Sequence, residues 1–167
     1  MAYALGVPLL VLLAILQSAV FSQVRLLEGQ ADLVLLAVVA WALTGRWQEA
    51  MILGVVGGAC LDLLSGVPIG VSSLALVIVA YGVALTEGRL WGAHLLTPLG
   101  VILAASLVFS AFGMLGALLA GAVIDLGSVA PRVVLPALFL NLLLAIPSAQ
   151  LASVLQRVLF PPEVEIA

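Results

Sequence analysis

Charge is what this sequence has least of. Of its 167 residues only 8% are charged, with five basic and eight acidic side chains and a net charge of −3. All five basic residues are arginine, and the absence of lysine carries no functional weight. So weak and slightly negative a balance, with no basic cluster, excludes a nucleic-acid partner, because such binding rests on neutralising phosphates. Cysteine and histidine are almost missing too. Cys60 alone rules out an intrachain disulfide, and it lies in an apolar run where a small buried hydrophobe is expected. His94 has no second histidine or cysteine near it in sequence, so no metal-ligand spacing exists and no metal or other cofactor is expected.

What remains is hydrocarbon. Hydrophobic residues make up 65% of the chain. A soluble domain of this size must cover a large surface with polar groups, and this chain has too few. In a bilayer the requirement reverses: the outer surface should be apolar, and backbone groups must be satisfied within helices. The expectation is an all-α integral membrane protein, a bundle of about six transmembrane helices. A crossing takes about 20 apolar residues for a roughly 30 Å core, so six crossings use about 120 residues and leave no soluble domain.

The expected spans are residues 3–21, 31–45, 47–64, 69–86, 95–123 and 133–158, in a single domain 1–160 followed by a short tail 161–167. The amino terminus lacks the positive leader of a secretory signal and reads as a retained first span. Ala14, Ser18 and Ser22 give that span a small-residue face. The second span is short: only Leu33 to Gly45 separate Asp32 from Arg46, and Trp41 and Trp47 are expected to anchor its end at the interface. Gly113, Ala117 and Gly121 form a small-residue stripe in the fifth span, and Pro136 and Pro147 interrupt the sixth. An even number of spans puts both termini on one side. Arg46, Arg89 and Arg157 against Arg25 and Arg132 favour the cytoplasmic side.

The stretch Gly54 to Tyr81, GVVGGACLDLLSGVPIGVSSLALVIVAY, carries the most information. It reads as two apolar helices joined by a Gly66/Pro68/Gly70 turn, with Asp62 just before the turn. Gly54, Gly58 and Asp62 recur at helical spacing, so a glycine groove leads to the carboxylate. An intramembrane carboxylate costs roughly 2.5–3.5 kcal/mol on insertion scales at mid-bilayer, so it needs a purpose. The favoured one is a distal cap, accepting hydrogen bonds from the free N–H groups that open the fourth span. Contact with a partner or pocket is the other. Asn141 shares a face with Ala137, Ala145 and Ala149 and is expected to hydrogen-bond a neighbouring helix, as are Tyr81, Gln17 and Gln150.

Catalysis is not expected. Intramembrane proteolysis needs a Ser/His pair or paired aspartates, and lipid phosphotransfer needs clustered carboxylates for a divalent cation. Asp62 and Asp125 are single and far apart. An ion-coupled carrier ordinarily shows paired intramembrane charges or broken helices in matching halves, and one buried acid does not make a pair.

The pattern Gly58-Ala-Cys-Leu-Asp62-Leu-Leu-Ser-Gly66-Val-Pro68-Ile-Gly70, followed by a span ending near Tyr81, resembles the rod shape-determining MreD family. The resemblance implies a multi-pass subunit of the lateral cell-wall elongation machinery in the bacterial inner membrane. Its implied direct partner is MreC, with MreB, RodA and the elongation transpeptidase reached through it and membrane lipids around it. It also implies a fold similar to the substrate-binding subunits of energy-coupling-factor transporters. Small-residue grooves such as Gly54–Gly58–Asp62 and Gly113–Ala117–Gly121 suit docking of a partner's transmembrane helix. The alternative reading is a vitamin-type binding subunit of a membrane transporter.

Overall fold

The computed structural model describes residues 2–21, 29–66, 68–86, 96–123 and 125–159. They are almost wholly helical. Helix α1 is Ala2–Leu16, continued by a π-helical turn at Gln17–Phe21. Then come α2 (Leu33–Ala42), α3 (Trp47–Ser65), α4 (Val71–Leu85) and α5 (Leu96–Leu119). A short α6 (Leu126–Val129) passes through a second π-helical turn, Ala130–Val134, into α7 (Leu135–Leu159). With no water to satisfy it, backbone in hydrocarbon closes its own hydrogen bonds, and Leu-, Val- and Ala-rich runs do that as helix.

Among the described residues, three helical stretches are long and apolar enough to cross a membrane: Trp47–Ser65, Pro98–Leu119 and Gly127–Val158. The shorter apolar helices Gly6–Ala19, Leu33–Ala42 and Val71–Leu85 complete the set. The outer surface is hydrocarbon: Leu63, Ile69, Leu74, Leu85, Leu135, Leu143 and Leu151 are all exposed. In water such a surface would aggregate, whereas against lipid tails it costs nothing.

Helix α2 is the centre of the bundle. It packs against α1, α3, α4, α5 and α7, and eight of its ten residues are buried. At 1.5 Å per residue it is about 15 Å long, half a bilayer core. The expected span 31–45 is therefore longer than the helix that forms. Enclosure explains the difference, because α2 is packed against five other helices and its length answers to them. Trp41, expected to anchor the end of this span, turns into the protein. It is 7% exposed and its Nε1 donates to Glu49 Oε2 at 3.1 Å, with Arg46 paired to the same carboxylate.

The other departures lie at span ends. Helix α5 stops at Leu119 and turns at Ala120–Gly121, short of residue 123. The last span starts earlier than residue 133, because α6 and the π-helical turn lead into α7. Pro136 has no N–H for the carbonyl of Arg132, and its ring crowds that carbonyl; the widened turn just before it relieves both problems.

Candidate functional site: two helix starts capped from a distance

The α3/α4 hairpin reverses through two left-handed glycines. Gly66 (φ +70°) ends α3 and Gly70 (φ +105°) precedes α4, conformations that strain any residue with a Cβ. Pro68 sits between them. Asp62, one helical turn before Ser65, is 1% exposed. Its Oδ2 accepts the Gly70 N–H at 2.7 Å and its Oδ1 accepts the Ser72 N–H at 3.0 Å. Both donors belong to the opening of α4, where N–H groups have no intrahelical acceptor and the macrodipole favours negative charge. Asp62 is therefore a distal helix cap.

Gly54 and Gly58 line the contact between these two helices. A Cβ on Gly58 would lie 2.4 Å from the Ser73 Cα and N, and one on Gly54 would lie 3.2 Å from Leu76 Cβ. The glycine groove that the sequence offered to a partner helix is filled by α4 itself. The Ser73 hydroxyl adds a bond to the Val55 carbonyl at 3.1 Å. Tyr81, on the same helix, is half exposed and stands outside this contact.

The second capped start belongs to α2, and its residues come from four parts of the chain. Asn141 on α7 is fully buried. Its Oδ1 accepts the Asp32 N–H at 2.8 Å, which fixes the amide's orientation, so that Nδ2 donates to Asp32 Oδ2 at 2.9 Å and to Ser106 Oγ on α5 at 3.1 Å. Gln17, at the end of α1, accepts the Val34 N–H at 3.1 Å and turns its Nε2 toward Asp32 Oδ1 at 3.5 Å. Asp32 precedes α2 without capping it through its own side chain. The Val34 N–H of α2 and the Asp32 N–H just before it are met instead by amides from α1 and α7.

Asn141 and Gln17 thus bond across helices, as their isolation in apolar runs suggested. Gln150 is exposed on α7. Asp32 and Ser106 are the members the sequence reading missed. The available signal was scarcity: each isolated polar group inside a span must find another. At the far end of α2, Gln156 of α7 donates to the Thr44 carbonyl at 3.2 Å. Polar contacts from α7 therefore hold both ends of the short central helix.

Neither cluster assembles a nucleophile, a base and an acceptor in sequence. Among the described residues no three His, Cys, Asp or Glu side chains come together as metal ligands. His94 lies outside the described residues. The polar groups of these two clusters hold the bundle's own helix starts.

The fold and these clusters define a helical membrane protein built around two internally capped short helices. The chain matches the family of the rod shape-determining protein MreD over residues 2–156, and it belongs to that family. It is thus a shape-determining membrane protein. No curated protein and no solved structure matches it.

Asp62→Ala is expected to destabilise the α3/α4 hairpin by about 1–3 kcal/mol, because two partly buried N–H groups lose their acceptor. Asp62→Asn keeps one acceptor and should fall between. Thermal unfolding of the purified protein in detergent measures both.

Proposed function

We propose that this chain is a non-enzymatic scaffold of the bacterial inner membrane that binds MreC and helps maintain rod shape within the cell-wall elongation complex. The family match across residues 2–156 carries this reading. The structure is compatible with it: the polar groups described above are engaged in holding the bundle together, which leaves helix faces and short loops as the means of acting. MreB, RodA and the elongation transpeptidase are reached through MreC. Both termini lie on the cytoplasmic side in this proposal.

The test is co-purification of the chain with its cognate MreC from detergent, beside an unrelated single-span protein as control. Selective capture supports the reading, and equal capture of both overturns it. The two small-residue faces are now unequal as docking candidates. The Gly54–Gly58 face is occupied by α4, whereas a Cβ on Gly113 meets nothing within 4 Å. Gly113→Leu is expected to lower MreC capture without changing the melting temperature if α5 receives the partner helix.

A further inference from the structure

The central helix lines a groove that opens to the outside. On one side of α2, α1 and α7 flank it while hardly touching each other. Between them lies a groove of about 300 Å³. Its walls include Leu9 and Leu13 of α1, Leu36 and Ala37 of α2, and Leu144 and Leu151 of α7. Leu9 and Leu151 are also exposed, so the groove opens sideways through the flank of the bundle. One of its few polar liners, Ser148, turns its hydroxyl back to the Ala145 carbonyl at 2.9 Å. Trp41 lines the groove toward the end of α2 where Arg46 pairs with Glu49 and Gln156 meets Thr44.

We infer that this groove holds one acyl chain of a membrane phospholipid, its headgroup at the Trp41–Thr44 end. Size selects the occupant. An acyl chain can lie wholly within a cleft of this volume, whereas a helix about 10 Å wide could insert only side chains and would leave gaps along it. At about 30 Å³ per water-sized unit the groove takes roughly ten methylene groups, the bulk of one lipid chain. Chemistry agrees, since the walls offer almost no hydrogen bond and a polar ligand would lose its own on entering. The chain would complete the wall of the bundle where α1 and α7 leave α2 uncovered. The polar end gives the headgroup an interfacial setting, with an indole and a guanidinium close by.

Trp41 provides the readout. The full-length chain carrying Trp47→Phe and Trp91→Phe is reconstituted in phosphatidylethanolamine/phosphatidylglycerol vesicles whose acyl chains are brominated close to the carbonyl end, a contact quencher of an indole beside the headgroup. Trp41 is only 7% exposed, yet its fluorescence is expected to fall by at least half. Ala37→Phe, which fills the groove from its floor, should reduce that quenching at least threefold. Ser148→Leu does the same from the α7 wall and serves if the first variant does not fold. An unquenched Trp41, or quenching untouched in a folded groove-filling variant, overturns the inference. So does efficient disulfide formation between copies carrying Leu13→Cys and Cys60→Ser, because a second copy would then occupy the groove.

Discussion

Replacing Asn141 with leucine is expected to destabilise the protein by about 2–4 kcal/mol, although the side chains are close in volume. The amide makes three bonds in a fully buried setting: one from the Asp32 N–H, one to the Asp32 carboxylate and one to Ser106. Interhelical hydrogen bonds in membrane proteins average about 0.6 kcal/mol in double-mutant cycles, because the unfolded chain in lipid also finds partners. Three such bonds give a floor near 2 kcal/mol. The upper figure reflects orphaning: leucine leaves a backbone N–H and a carboxylate oxygen buried together without this partner, at about 1–3 kcal/mol for each unsatisfied group. Equilibrium unfolding in mixed micelles measures the difference. A change below about 0.5 kcal/mol would show that the cluster is not holding α2 in place. Ser106→Ala should cost less than 1 kcal/mol in the native background and almost nothing once Asn141→Leu is present, since its donor is then gone.

The two capped starts differ in how far the sequence revealed them. Asp62 and its acceptor-hungry N–H groups lie within ten residues, separated by glycines and a proline that force a reversal. Geometry that local can be read from spacing. Asp32 and Asn141 are 109 positions apart, and no spacing rule links them. Before the bundle is assembled, Asp32 is only one more charge in a connector. Its role depends on α1, α5 and α7 converging on the foot of α2, which is a property of packing. The length of α2 misled for a related reason. A bilayer asks a lone helix for about 20 residues, but a helix enclosed by five neighbours answers to them instead. Trp41 follows the same logic: tryptophan near a span end suggests an interface anchor, and Glu49 on the next helix turns it inward. The glycines of α3 were legible as a groove, but a groove does not announce who fills it.

That distinction sets the expected result at Gly58. Gly58→Ala should cost at least about 3 kcal/mol and Gly58→Val should prevent folding, while Gly113→Ala should be neutral or slightly stabilising. A Cβ at Gly58 would sit 2.4 Å from both Cα and N of Ser73, distances that real Cβ atoms do not adopt. Adding atoms to a packed core typically costs about 1–3 kcal/mol when side chains can shift. Here the obstruction is backbone, so the helices themselves must part. Parting them would also draw the Ser72 N–H away from Asp62 Oδ1 and the Ser73 hydroxyl from the Val55 carbonyl, so packing and capping fail together. Gly54→Ala is the graded control: its Cβ would meet Leu76 Cβ at 3.2 Å, a contact that a few tenths of an ångström relieves, and the cost should be about 1 kcal/mol. Thermal unfolding of the three variants should therefore rank Gly113→Ala at or above the native protein, Gly54→Ala below it and Gly58→Ala far below. Were the α3 groove instead a seat for a partner's helix, Gly58→Ala would leave the isolated protein intact and weaken only the complex.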